Sequence, residues 1–157
     1  MNTASTEQKL TELGLSIPVL PVSKGIYKRC LAVGNQLYVA GHISVNKDGS
    51  PLTGKLGAGC SEETGVMAAR QCGLAILASL KQELGGFEKI KRVVKLLGMV
   101  NSTPDYINHP VIINGCSQLF LDLWGEENGV GVRSAVGMGS LPGNVAVEIE
   151  AIFELYP

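Results

Sequence analysis

The stretch Val145-Ala146-Val147-Glu148-Ile149-Glu150-Ala151-Ile152-Phe153-Glu154-Leu155 alternates residue by residue. Val145, Val147, Ile149, Ala151, Phe153 and Leu155 fall on one side of an extended chain; Ala146, Glu148, Glu150, Ile152 and Glu154 fall on the other. Side chains in a strand repeat with a period of two, so the pattern predicts a strand with one buried face and its glutamates on the opposite face. Just before it, Gly139-Ser140-Leu141-Pro142-Gly143-Asn144 is a turn signal. Before the turn lies a second extended segment carrying Arg133-Ser134. Folded back about the turn, the two segments read as one hairpin that brings Arg133 close to Glu148. A cation and a carboxylate at the same end of a sheet suit an anionic small molecule and a water.

Further out, Ser61 to Leu84 reads as a long helix. Ser61 is placed to cap it, Glu62 and Glu63 favour its positive end, and Gly85-Gly86 stops it. Val66, Ala69, Gly73, Ile76, Leu77, Leu80 and Leu84 form its apolar stripe. A strand is expected over 92–101. Asn108-His109-Pro110 opens a second helix running to Trp124, with proline at the tolerated first position. Tyr27 to Val33 and Gln36 to Ser44 read as strands joined at Gly34-Asn35. Residues 46–59 form a Gly/Ser/Pro-rich loop without phosphate-loop spacing. At the front, Ser5 with Gln8 matches a capping box for a short helix over 5–14. The order is β-β-α-β-α-β-β, an α+β architecture with two helices over one face of a mixed sheet.

The chain has 157 residues, which suits a single domain with a sizeable core. Hydrophobic residues make up 45% and charged residues 17%, a balance that suggests apolar surface buried against another subunit. The net charge of −1 gives no basic footprint for nucleic acid. No apolar run approaches a membrane span, and the polar segment Met1 to Leu10 lacks the apolar core of a secretory signal. The four cysteines, Cys30, Cys60, Cys72 and Cys116, form no Cys-x-x-Cys pair, so reduced thiols and a cytoplasmic location are expected. The only histidines are His42 and His109, and a structural zinc site is not expected.

Several segments together resemble the reactive-intermediate deaminase family, also called RidA or YjgF and labelled endoribonuclease L-PSP. Arg133-Ser134, Leu141-Pro142 and Glu148-Ile149-Glu150 resemble its C-terminal signature. Gly25-Ile26-Tyr27 resembles its Gly-Pro-Tyr, and Leu37-Tyr38-Val39-Ala40-Gly41-His42 its strand ending in Ser-Gly-Gln. Val93-Val94-Lys95 and Asn114 with Phe120 match its next strand and helix. The resemblance covers residues 23–155 and leaves 1–22 as an N-terminal extension with a short helix before one domain, 23–157. It implies a chorismate-mutase-like fold and a homotrimer with sites in the clefts between subunits.

The resemblance also implies an activity: hydrolysis of small enamine or imine acids, of the 2-aminoacrylate kind, to 2-keto acids and ammonia, with no metal or organic cofactor. Arg133 would clamp the substrate carboxylate, and Glu148 would orient the attacking water. Tyr27, Gly41, His42 and Ala135 would line the substrate. Glu150 shares the strand face of Glu148 and could exchange roles with it, while Asn114 and Lys95 suit structural or interface duties. His42 departs from the family's glutamine, Ile26 from its proline, and Ala135 from a common cysteine whose backbone carbonyl faces the water. These departures place the chain in a divergent branch. A trimeric, non-catalytic binder of small keto acids is the alternative reading, and an endoribonuclease the weaker one.

Overall fold

The computed structural model describes residues 5–157. The elements follow in the order α1 (Thr6–Glu12), β1 (Cys30–Val33), β2 (Gln36–Ile43), α2 (Glu62–Leu84), β3 (Ile90–Asn101), α3 (His109–Gly129), β4 (Val132–Met138), a 3-10 turn (Pro142–Asn144) and β5 (Val147–Leu155). The strands make one sheet in the order β1-β2-β5-β3-β4. Only β3 and β4 run parallel; every other neighbouring pair is antiparallel. Helices α2 and α3 cover one face, an α+β fold of the expected kind.

The alternation of β5 sets the layers. Val147, Ile149, Ala151 and Phe153 are buried, facing the helices, while Glu148 and Ile152 are half-buried on the uncovered face and Glu150 is exposed there. Helix α2 starts where Ser61 accepts from the Thr64 amide. It ends at Gly85, whose φ of 79° is a left-handed conformation that glycine adopts without a Cβ clash. Its buried stripe of Ala69, Cys72, Ile76, Leu77 and Leu80 meets Ile112, Cys116, Leu119 and Leu123 of α3; α2 rests on β2 and β5, and α3 on β3 and β4. Phe120, Trp124 and Phe153 form an aromatic cluster at one end, with ring centroids 5.3 to 6.1 Å apart.

The capping box forms as expected. The Ser5 hydroxyl accepts from the Gln8 amide at 3.2 Å, and the Gln8 side chain accepts from the Ser5 amide at 2.7 Å. Helix α1 docks on the helical layer: Trp124 Nε1 donates to Thr6 Oγ1 at 3.0 Å, and Lys9 Nζ donates to the Leu123 carbonyl at 2.7 Å. Leu10 is buried, and Leu15 and Ile17 pack against the same core. The N-terminal segment 1–22, expected as an extension with a short helix, carries that helix and packs Leu10, Leu15 and Ile17 on the core; its residues 1–4 lie outside the described residues.

Two expectations change. The first strand starts at Cys30 rather than Tyr27; residues 18–29 instead form an extended strap. The chain bends over residues 25–27 and joins the ladder only at its end, where the Ala40 amide donates to the Arg29 carbonyl at 2.9 Å. Helix α3 continues past Trp124 to Gly129, bending at Gly125.

The larger correction concerns the C-terminal hairpin. Strand β4 pairs only with β3, and β5 is inserted between β2 and β3, so β3 separates the two strands expected to pair. The connection over 139–146 crosses the end of β3. It is held there by buried Asn101, whose Nδ2 lies 2.9 Å from the Gly54 carbonyl, 3.0 Å from Asn144 Oδ1 and 3.1 Å from the Val145 carbonyl. Lys55 Nζ reaches Asn101 Oδ1 at 3.1 Å and the Gly139 carbonyl at 2.6 Å. These bonds satisfy backbone groups that the crossing would otherwise strand. Nothing in the local turn signal distinguishes such a crossing from a hairpin.

Candidate active site

The uncovered sheet face carries carboxylates in an otherwise largely apolar surface. In register, Leu31, Tyr38, Ile152, Lys95 and Val132 form one row across all five strands. A second row runs Ile43, Glu148, Met99 and Val136. Glu148 therefore projects from the middle of the sheet.

Beside it, β2 changes register between Val39 and His42, which places Gly41 against Glu148. A Cβ built on Gly41 would lie 2.9 Å from Glu148 Oε1 and 3.0 Å from its Cδ. The carboxylate occupies the space that a side chain at 41 would fill, which is what glycine at this position permits. Burial raises the Glu148 carboxyl above its ordinary 4.5, and the charge of Glu150 raises it further.

Glu148 lines a cleft of about 890 Å³ with Glu150, Tyr27, Gly41, the strap residues Leu20 to Gly25, and Pro142-Gly143 of the crossing. Tyr27 is exposed at this cleft, two residues before the strap passes into β1. Arg29 lines it too, and its guanidinium donates to the Pro21 carbonyl, which ties the strap to the strand it feeds.

His42 borders the cleft, but its ring turns away from it. Nδ1–H donates to the Ala40 carbonyl at 2.6 Å, so Nε2 is the acceptor for the Ser79 hydroxyl of α2 at 2.7 Å. The ring is buried, and that burial lowers its protonation range below the ordinary 6.5. As a neutral imidazole, His42 bridges sheet and helix.

Arg133 is elsewhere. It sits opposite Leu96, on the helix-covered face at the free edge of β4, where its guanidinium donates to Ser117 Oγ at 2.9 Å and to the Pro110 carbonyl at 3.2 Å. Ala135 lies two residues along the same edge, also facing the helices and packed on the core. Glu148 is opposite Met99 and Arg133 opposite Leu96. At about 4.8 Å per strand and 3.3 Å per residue, two strands and three residues put their Cα atoms roughly 14 Å apart. Their side chains leave opposite faces. Within one chain the structure thus brings Tyr27, Gly41 and Glu148 together and leaves Arg133 and Ala135 as a separate group at the sheet edge.

A family model described as "YjgF/chorismate_mutase-like, putative endoribonuclease" matches residues 7–149. The chain belongs to this family. A Trypanosoma cruzi relative, Protein TCP17, is 38% identical over 146 residues, which is 93% of this chain and 91% of that protein. A crystal structure of a protein of unknown function from Agrobacterium tumefaciens is 38% identical, with a TM-score of 0.86 over 97% of this chain and 94% of its own. A Shewanella oneidensis protein titled "a putative endoribonuclease" is 30% identical, with a TM-score of 0.91 over 97% of this chain and all of its own. The family assignment and its chorismate-mutase-like fold agree with the motif resemblance in the sequence.

The sequence reading missed the strap. Ile17 to Lys24, with Pro18 and Pro21, reads as an extended linker and Tyr27 onward as a strand, so neither reading makes this segment a wall of a cleft. The available signal was Val19, Val22 and Ile26, apolar residues too exposed in one chain to belong to its own core. Lys24 and Arg29, two cations in the cleft, were missed with it.

Among the described residues no group of three or more His, Cys, Asp or Glu side chains is placed to hold a metal ion, and no helix is long and apolar enough to cross a membrane.

Proposed function

We propose that the protein is a deaminase that hydrolyses small enamine or imine acids to 2-keto acids and ammonia, at sites assembled between copies of the chain. The observation that carries this reading is Glu148, a half-buried carboxylate of raised protonation range, seated against Gly41 in a cleft. Arg133 of a second copy would supply the carboxylate clamp. A guanidinium fork matches a carboxylate bidentately. The separation of Arg133 from Glu148 within one chain is the reason for assigning them to different copies. The row of Leu31, Tyr38, Ile152 and Val132, interrupted by Lys95, supports association, because a lone chain leaves Leu31, Tyr38 and Val132 exposed to water. A closed ring of three is the arrangement proposed, in keeping with the family.

In the reaction, the clamp holds the substrate carboxylate so that the imine carbon faces the water on Glu148. The water oxygen bonds to the carbon of the protonated imine, the C=N π pair moves to nitrogen and Glu148 takes one water proton, giving a carbinolamine. The carboxyl then returns that proton to nitrogen; the C–N bond breaks with its electron pair on nitrogen while the hydroxyl oxygen closes the C=O bond and gives its proton to the Glu148 carboxylate, and ammonia leaves a keto acid. A carboxylate whose range is raised above 4.5 accepts this proton more readily than an exposed glutamate does. The uncatalysed hydrolysis already runs in water, so orientation and electrostatic help suffice.

Lys24 and Arg29 in the cleft are matched by Glu148 and Glu150, and the chain's net charge is −1, so no excess of positive charge favours a polyphosphate backbone as substrate. The test is release of pyruvate from 2-aminoacrylate generated in place by a dehydratase. Wild type should accelerate release and Arg133→Ala should not. An Arg133→Ala variant as active as wild type would overturn the clamp. Binding of 2-ketobutyrate without turnover would instead leave a keto-acid binder.

A further inference from the structure

An arginine at the free edge of a sheet is a long, flexible side chain. Unless something holds its guanidinium, ordering it at each binding event weakens the grip on a carboxylate. Helix α3 supplies the hold on Arg133. Pro110 stands in the first turn of α3 and Ser117 comes seven residues later, about two turns on, so both lie on one face of the helix. Arg133 Nη1 donates to Ser117 Oγ at 2.9 Å, and Nη2 donates to the Pro110 carbonyl at 3.2 Å. Separate turns of α3 thus fix the two terminal nitrogens. A guanidinium carries more N–H groups than these two bonds use, so others stay free for a carboxylate.

The helix that carries both partners is itself seated closely. At Gly115 its backbone lies against α2, where a Cβ would meet the Val66 carbonyl and stand 3.2 Å from the Arg70 amide nitrogen. Fully buried Ile113 seats it on β3, where a Cβ on Gly98 would stand 2.5 Å from Ile113 Cδ1. A group on an element packed on two sides holds its position within narrow limits. Of the two holds, only that of Ser117 depends on a side chain. Ser117 is half-buried, so removing its hydroxyl leaves the packing of α3 intact.

We propose that Ser117 is a positioning residue: its hydroxyl holds the Arg133 guanidinium in the orientation that receives the substrate carboxylate at the site shared between copies. This rests on the deaminase reading above. Ser117→Ala leaves Arg133 in place, so the clamp still forms once substrate is bound. The loss therefore falls on binding, in KM, and kcat is nearly kept. KM should rise about tenfold, the order of a hydrogen bond to a charged group, with kcat within about twofold. Ser117→Thr keeps the hydroxyl and should return KM to within about threefold of wild type.

The test follows keto-acid release over a range of imine concentrations, generated in place by an L-amino-acid oxidase, with calorimetric binding of 2-ketobutyrate in parallel. Ser117→Ala should weaken 2-ketobutyrate binding about tenfold in the wild-type background. In the Arg133→Lys background, where an ammonium acts as a point charge without a fork to aim, the same change should cost less than about threefold. Unchanged KM and 2-ketobutyrate affinity in Ser117→Ala, or an equal loss in both backgrounds, would overturn the positioning role and leave the deaminase standing. A wild type that accelerates no imine would count against the deaminase reading, and the binding comparison would then judge Ser117 alone. A wild type that neither hydrolyses imine nor binds 2-ketobutyrate would overturn both.

Discussion

Replacing Gly41 by alanine isolates the position of the Glu148 carboxylate from its chemistry. Gly41 is not among the residues of positive φ, so alanine meets no backbone strain there. The new methyl would stand 2.9 Å from Glu148 Oε1, 3.0 Å from Cδ and 3.3 Å from Cγ. Ordinary contact is about 3.5 Å, so the carboxylate must retreat by roughly 0.6 Å. A misplacement of about 1 Å can cost on the order of 100-fold, so kcat/KM should fall roughly tenfold. Folding stability should stay within about 1 kcal/mol, since the entropy gained by losing a glycine opposes the small displacement. The assay is imine hydrolysis at saturating and limiting substrate, with a thermal melt in parallel. The double variant with Glu148→Gln decides the route. If the Gly41→Ala substitution acts by moving the carboxylate, the double variant should be no slower than Glu148→Gln alone. A Gly41→Ala enzyme of full activity, or two losses that simply multiply, would refute the reasoning.

Two pH effects follow from the same geometry. The acid limb of kcat/KM should have its midpoint above 4.5, and Glu150→Gln should move that midpoint down by removing a like charge; a limb unmoved by the substitution would show that Glu148 is not the titrating group. His42 is held neutral with a folded-state protonation range below 6.5, so between these values the unfolded chain binds more protons. Its contribution to stability is therefore complete above about pH 6.5 and declines as the pH falls. His42→Gln, read by denaturant midpoints from pH 7 to 5, should flatten that dependence; an identical slope in both proteins would contradict the assignment.

The fold was largely legible because its elements carry local signals. The alternation in β5, the cap at Ser61, the Gly85 stop and the Ser5–Gln8 box each act within a few residues. The crossing of 139–146 over β3 was not legible. It depends on Asn101 and Lys55, distant in sequence from the turn they hold, so a local turn signal reads as a hairpin. That error carried into the site. Arg133 and Glu148 were expected side by side, whereas the inserted β3 parts them and the pleat sends them to opposite faces. His42 was expected at the substrate, and its position beside the cleft was legible. The direction of its ring was not, since that depends on Ser79 of a helix thirty-seven residues away.

The central claim is that Arg133 of one copy serves Glu148 of another. Co-expression of Arg133→Ala and Glu148→Gln chains under two different tags, with purification through both, gives assemblies that contain each kind of chain. In a ring of three, whichever variant is present twice, one site in three pairs an intact Arg133 with an intact Glu148. Such mixed assemblies should recover about one third of wild-type imine hydrolysis, although each variant alone is inactive. A recovery of about one half would keep the shared site and make the ring a dimer. Mixed assemblies as inactive as their parents would contradict the account.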